Sequence, residues 1–347
     1  MKRFVFRATG EPSAVLMLEN AEKPIPAPGE VRVRVHLSPV HPGDLHVLRG
    51  KFGRQPVLPA SPGLECMGTV DALGAGVLSP AIGTRVIPLN VPGTWQEFIV
   101  VPAERLVVVP DTISDDDAAQ AMINPFTALA LTRHLRGFKA SDWLVQTAAG
   151  STVGRMVLQL ARSEGFRTIN LIRRKEQMVQ IIALGGDVVI CTEDEDWPQQ
   201  LLAATAGTGP SFAIDSVAGT VGATIARHLA PGGQMLVYGA LSSHRQTELR
   251  AFELPLFTPQ LIYKSITVEG WYLFHWLAVT PIEQTRSLLE DVLNRMATGR
   301  LQLPPAKRHS INDIGQALTD AASSHREGKP LLEFFNSGYQ PASRENR

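Results

Sequence analysis

The stretch Trp143-Leu-Val-Gln-Thr-Ala-Ala-Gly-Ser-Thr-Val-Gly154 constrains this chain more than any other. A short apolar run meets a turn of small residues, then the apolar-periodic segment 155–164, then a second apolar run, 168–172, that ends in Arg173 and Arg174. Strand, tight turn, helix and strand make a βαβ unit whose turn offers backbone N–H groups at a helix N-terminus, a ready site for a pyrophosphate. Gly150 and Gly154 stand at the outer glycine positions of such a loop and Thr152 occupies the middle one. Gly150, Ser151, Thr152, Val153 and Gly154 are therefore the expected pyrophosphate contacts. Where an NAD site carries an acidic residue for the ribose 2′-OH, this chain has Arg173, Arg174 and Lys175. Three cations suit a 2′-phosphate, so NADP(H) is the expected cofactor; the bland alternative is a solvated helix start.

A chain of 347 residues is too long for one compact core and fits two domains. Its formal net charge is zero, which leaves no electrostatic footprint for nucleic acid or for an anionic membrane surface. The two cysteines, Cys66 and Cys191, lie far apart without a partner motif, so neither a disulfide framework nor a four-cysteine zinc lobe is expected. No signal peptide, transit peptide or membrane span is evident, and a cytoplasmic enzyme is the default expectation.

Up to about residue 110 the chain consists of short β-segments broken by Pro and Gly. Val31-Arg-Val-Arg-Val-His36 alternates cleanly, and the runs 68–73, 84–88 and 97–102 follow. That density of strands predicts a partly open β-barrel. Ser114-Asp-Asp-Asp117 is a helix start with acids in its first turn, leading into 118–122, and a second helix is expected over 125–135. Beyond Trp143, strands are expected at 144–147, 168–172, 188–191, 212–215, 235–238 and 266–269, with helices between most of them. Six such strands form a doubly wound parallel sheet. A helix over 282–298 and an amphipathic segment over 311–322 follow, and the tail from Pro341 onward is expected to lack fixed structure.

This order of features resembles the medium-chain dehydrogenase/reductase superfamily, and within it the zinc-independent 2-enoyl thioester reductases and their quinone oxidoreductase-like relatives. The resemblance rests on His41-Pro-Gly-Asp44 with Gly50-Lys-Phe-Gly53, Gly93-Thr-Trp95, Ile123-Asn-Pro125, Ala148–Gly154, Thr168-Ile-Asn170 with Arg173-Arg174, the run from Gly232 to Gly239, and Gly270-Trp-Tyr-Leu-Phe-His-Trp276. It implies an α/β protein: a GroES-like, partly open barrel as catalytic domain over 1–122, rejoined by 277–347, and a Rossmann domain over 123–276. It further implies that Asn124 contacts the nicotinamide ribose, and that Tyr238, Gly239, Ala240 and Leu241 with Trp271, Tyr272 and Leu273 line the nicotinamide. Lys329 is expected to reach the cofactor from the C-terminal segment. A homodimer joined through the edge strand 266–270 is also implied.

In the alcohol dehydrogenases of this superfamily, a cysteine and the histidine of a Gly-His-Glu run hold zinc, whereas here those positions are His41 and Leu64. Leucine cannot ligate a metal, so no catalytic metal is expected. The implied chemistry is conjugate reduction: hydride to the β-carbon of an α,β-unsaturated carbonyl, an enolate held by backbone donors, then protonation at the α-carbon. The family's tyrosine proton donor is Phe52 here. His41 and His46 are the candidate replacements, with solvent as the alternative source, and Trp276 is counted with them among the catalytic positions. Asp44 is expected to cap the local turn, and His275 to be exposed. The expected substrate is a small-molecule 2-enoyl thioester; a quinone or enone substrate and a non-catalytic dinucleotide-binding role are the alternatives.

Overall fold

The structure, a computed structural model, describes residues 1–243, 246, 248–323 and 328–335. The tail from Pro341 lies outside the described residues. The chain divides into two compact units: Met1–Phe126 with Leu277–Gly299 and the described residues from Leu303 onward, and Thr127–Trp276 with Arg300–Gln302.

In chain order, the first unit contains β1 (Lys2–Phe6), α1 (Pro12–Val15), β2 (Leu16–Asn20), β3 (Glu30–Pro39), α2 (Pro42–Leu48), β4 (Met67–Leu73), β5 (Arg85–Pro88), β6 (Phe98–Pro102), β7 (Leu106–Val108), α3 (Asp115–Ala118) and the start of α4 (Asn124–His134). The second holds β8 (Trp143–Gln146), α5 (Thr152–Glu164), β9 (Arg167–Ile172), α6 (Met178–Ala183), β10 (Val188–Cys191), α7 (Trp197–Ala203), β11 (Phe212–Asp215), α8 (Gly219–His228), β12 (Gln234–Val237), α9 (Thr258–Tyr263), β13 (Thr267–Gly270) and the start of α10 (Leu273–Val279). The chain then returns to the first unit with α11 (Ile282–Ala297), β14 (Ala306–Ser310), α12 (Ile314–Ala322) and β15 (Lys329–Glu333).

β3 organises the first unit because its alternation puts Val31, Val33 and Val35 wholly inside, each worth about 1.5–3 kcal/mol of burial. It pairs antiparallel with β4, β6 and β15, and two register shifts against β4 bend it. The sheet runs β14-β15-β3-β4-β5-β7, and β14 pairs parallel to β15. Sequence periodicity predicts one helix through Met122, yet α3 stops at Ala118. The reason lies outside the segment: the Gln120 and Ala121 N–H groups donate three residues back, and those of Met122 and Ile123 donate to a side chain, Glu65, instead of continuing a helical ladder.

The second unit is a six-stranded parallel sheet in the order β10-β9-β8-β11-β12-β13. Val145, Ile169, Ile190, Ala213 and Met235 pack with Leu201, Ile225 and Leu229 in its core. β9 lies on one side of β8 and β11 on the other, so the winding reverses beside β8. In a parallel sheet every strand delivers its following loop to the same edge, and the crevice at such a reversal is where ligands bind.

Candidate functional site

In the second unit, five of the strand-end loops along that edge carry the residues expected to hold a dinucleotide. After β8, Ala148 takes a left-handed conformation at φ 48°. Ser151 then caps α5, its hydroxyl accepting the Gly154 N–H at 3.1 Å. A Cβ on Gly154 would stand 2.6 Å from the Ala149 carbonyl oxygen, so only glycine lets the helix approach the loop this closely. The opening N–H groups of α5 have no partner within the helix, as at any helix start, and form an anion site. Gln146 steadies this turn from beneath, donating to the Gly154 carbonyl at 3.1 Å and to Asn170 at 2.7 Å.

After β9, Arg173 is exposed and Arg174 half-buried. Neither side chain has a hydrogen-bond or ion-pair partner among the described residues. Lys175 differs: its ammonium lies 2.5 Å from Asp194, which holds its pKa above the ordinary lysine value. After β11, buried Asp215 accepts the Thr147 hydroxyl at 2.7 Å and the N–H groups of Val217 and Ala218, tying two neighbouring loops together. Burial raises the Asp215 pKa, against those three donors.

After β12 come Tyr238, Gly239 and Ala240, all half-buried, and Leu241, which is exposed. Burial pushes the Tyr238 phenol up to about 12, so it remains a hydroxyl. After β13 come buried Trp271, exposed Tyr272 and buried Leu273. The Trp271 indole N–H is buried and has no acceptor among the described residues, an orphaned donor on the expected nicotinamide segment. Trp276 packs against Trp271 with ring centroids 6.4 Å apart, and His275 is exposed. From the loop after β9 to that after β13 is four strand spacings, roughly 19 Å of continuous edge. A cationic segment, a helix N-terminus and apolar segments follow one another along it, an order that fits a dinucleotide.

In the first unit, the residues expected near the chemistry surround a buried polar cluster. His41, the N-cap of α2, is buried, and its backbone N–H donates to Asp44 Oδ2 at 2.7 Å, the capping expected of Asp44. The His41 ring is held at both nitrogens: Nε2 meets Glu65 Oε1 in a very short contact, and Nδ1 lies 2.7 Å from Lys329 Nζ. An ammonium has no lone pair to offer, so Nδ1 accepts and Nε2–H donates to Glu65. Glu65 Oε2 accepts the Met122 and Ile123 N–H groups at 2.9 Å each, placing its carboxyl group at the start of α4. Its backbone carbonyl accepts the hydroxyls of Ser38 and Thr94 at 2.7 and 2.9 Å. Gly63, at φ +105°, makes this possible: a Cβ there would lie 2.4 Å from the Thr94 hydroxyl.

One lysine thus balances two buried carboxyl groups. Burial raises both, Asp44 to about 7 and Glu65 to about 8, against the Lys329 charge and the backbone donors. His46 lies half-buried on the last turn of α2. The Phe52 ring packs beside Gly43 and Leu64, its Cε2 3.3 Å from where a Gly43 Cβ would stand. Asn124 is half-buried at the first position of α4. Sequence reasoning passed over the joint role of Glu65 and Lys329; the signal it had was an acidic residue in Pro62-Gly-Leu-Glu65, whose apolar neighbours imply a buried carboxylate needing a cation.

A metal does not fit this cluster. Among the described residues no group of three His, Cys, Asp or Glu side chains is placed to hold one. Leu64 offers no ligand, both His41 nitrogens are engaged, and burial raises the pKa of the Cys66 thiol, which disfavours the thiolate a metal needs. No helix among the described residues is long and apolar enough to cross a membrane.

Comparison with known proteins places these features. Residues 27–111 match the alcohol dehydrogenase GroES-like domain and residues 152–291 the domain described as zinc-binding dehydrogenase. The mitochondrial enoyl-[acyl-carrier-protein] reductase of Xenopus tropicalis is 32% identical over 336 residues, 94% of each chain. A crystal structure from Bacillus thuringiensis, assigned as an NADPH:quinone reductase, superposes with a TM-score of 0.88 at 28% identity, covering 96% of this chain and 99% of that one. The mitochondrial 2-enoyl thioester reductase heterodimer of Candida tropicalis shares the fold, with a TM-score of 0.82 at 23% identity over 96% and 99% of the two chains. With a GroES-like domain, a parallel Rossmann sheet and full-length relatives among the enoyl reductases, this chain belongs to the medium-chain dehydrogenase/reductase superfamily.

Proposed function

We propose that this protein is an NADPH-dependent, metal-independent reductase of α,β-unsaturated carbonyl compounds, with 2-enoyl thioesters as the principal class and a homodimer as the working form. The observation that carries the reading is the edge of the parallel sheet, where Arg173 and Arg174, without a side-chain partner among the described residues, adjoin the glycine turn of α5. The two arginines would hold the 2′-phosphate, the N-terminus of α5 the pyrophosphate, and the segments after β12 and β13 the nicotinamide. When bound, NADPH supplies the hydride. The chain's own residues bind and orient it: Asp215 and Thr147 hold the loops in register, and Tyr238 and Trp271 offer an O–H and an N–H for the carboxamide side.

The likeness to enoyl reductases over the whole length supports the thioester substrate. β13 supports the dimer: among the described residues it pairs with β12 alone, and the preceding α9 exposes Ile262 and Tyr263. Quinone reduction is the second reading, favoured by Phe52, since a quinone needs no fixed donor at an α-carbon. Consumption of NADPH with crotonyl-CoA, longer enoyl thioesters, simple enones and quinones tests both. Turnover of a thioester supports the first reading, turnover of quinones alone supports the second, and turnover of none overturns both.

A further inference from the structure

The glycine turn before α5 and the cationic segment after β9 are joined by side chains that belong to neither motif. Arg155, the fourth residue of α5, reaches back past the start of its own helix. Its Nε donates to the Gly150 carbonyl at 3.1 Å, and its Nη2 donates to Gln180 Oε1 on α6 at 3.0 Å. From the other side the Gln177 carboxamide lies over the same glycine, its Nε2 2.8 Å from where a Gly150 Cβ would stand. Gln177 ends the 3-10 turn Lys175–Gln177, and its N–H donates to the Arg174 carbonyl at 3.1 Å. Every residue involved belongs to the second unit.

We propose that Arg155 is a positioning residue for cofactor choice: together with Gln177 it straps the segment that carries Arg173 and Arg174 to the glycine turn, so that the cations and the helix N-terminus keep one spacing. The inference rests on the dinucleotide reading above and adds what sets its preference for a 2′-phosphorylated form. A loop that grips a ligand must first lose conformational freedom, and affinity falls by whatever that ordering costs. Here the ordering is built into the fold. β9 fixes the start of the loop, the Lys175–Asp194 pair its middle, and Arg155 with Gln177 its end. The charge of Arg155 has a second consequence. Both of its acceptors are neutral, and α5 has no acidic residue in its first turn. A guanidinium beside the positive end of a helix dipole is unfavourable until an anion answers it, and a pyrophosphate on α5 would be that anion. The strap therefore acts on NADPH alone, whereas the charge acts on NADPH and NADH alike.

Fluorescence titration of the full-length protein and its variants with NADPH and with NADH separates the two effects. Gln180→Ala removes the far end of the strap and leaves the turn and every charge in place. It should weaken NADPH binding roughly three- to tenfold, the size of one hydrogen bond, and leave NADH binding unchanged. Arg155→Met should weaken both, NADPH more. Arg155→Lys, which keeps the charge but offers one nitrogen where the guanidinium uses two, should restore NADH binding and only part of NADPH binding. With Arg173 and Arg174 both replaced by alanine, Gln180→Ala should have no further effect, because the strap then holds nothing that meets the 2′-phosphate. General loosening of the unit would instead lower both affinities together. An unchanged NADPH-to-NADH ratio in folded Gln180→Ala, or equal affinities in the wild type, overturns the inference while the dinucleotide reading stands. A folded wild-type protein that binds neither cofactor overturns both.

Discussion

The Lys329 ammonium lies 2.7 Å from Nδ1 of His41, and the opposite nitrogen of that ring meets Glu65. This buried arrangement joins the C-terminal strand to the N-terminal part of the chain and makes the first unit sensitive to proton uptake. Removing one partner of such a buried set leaves an uncompensated charge, at a cost of about 3–5 kcal/mol. Lys329→Met should therefore lower stability by an amount of that order in denaturant titration, whereas Lys23→Met, at an exposed pair with Asp71, should change it by less than about 1 kcal/mol.

Stability should fall as pH rises. Asp44 and Glu65 have folded pKa values raised to about 7 and about 8, above their unfolded values. In the window between, the folded chain binds more protons than the unfolded one, so folding is favoured at the acidic side and weakened as pH climbs through the folded values. The stability these groups add is fully present below the unfolded carboxyl range and lost by about pH 8. Melting temperature measured from pH 5 to 9 should decline, and Glu65→Gln should flatten the decline. A wild-type profile that rises across this window would contradict the assignment.

Cofactor choice should reside in Arg173 and Arg174. A hydrogen bond to a charged group is worth about 1.5–3 kcal/mol, less where solvent competes, so replacing both by alanine should cut NADPH affinity roughly ten- to hundredfold and leave NADH affinity nearly unchanged. Lys175→Ala should have a smaller effect, because Asp194 already engages its charge. Equal affinity of the unmodified protein for the two cofactors, by fluorescence titration, would refute this assignment.

Phe52 sets the proton question. Phe52→Tyr places a hydroxyl beside Gly43 and Leu64 and should raise enoyl thioester turnover, by up to the roughly 10²–10⁴-fold typical of a general acid. His46→Gln should lower turnover if that imidazole has taken over the proton, with NADPH affinity unchanged. Unaltered turnover in both variants would point to solvent as the donor or to a quinone substrate.

Much of the fold was legible in the sequence because its signals are local. The run from Trp143 to Gly154 declared the βαβ unit, and the alternation of Val31, Val33 and Val35 declared β3 with its buried face. The length of α3 was not legible, since its end depends on Glu65, more than fifty residues upstream, taking the Met122 and Ile123 N–H groups. The candidate site divides in the same way. Arg173, Arg174 and the glycine turn stand at fixed offsets from one strand and can be read along the chain. The engagement of His41 by Lys329 and Glu65 is a tertiary fact, which no spacing between positions 41, 65 and 329 encodes.

Metal dependence gives another check. With Leu64 at a ligand position and a protonated, buried Cys66, turnover should survive exhaustive chelation, and metal analysis should find zinc well below one equivalent. Loss of turnover on chelation, restored by zinc, would contradict the account.

NADPH consumption by the purified protein with crotonyl-CoA, set beside the same assay with quinones and with NADH, decides whether this chain is an enoyl reductase. The expected result is saturable consumption with the enoyl thioester, a clear preference for NADPH, and reduction of the carbon–carbon double bond in the recovered product. No consumption with any enoyl thioester, enone or quinone, by a folded protein that binds NADPH, would contradict it.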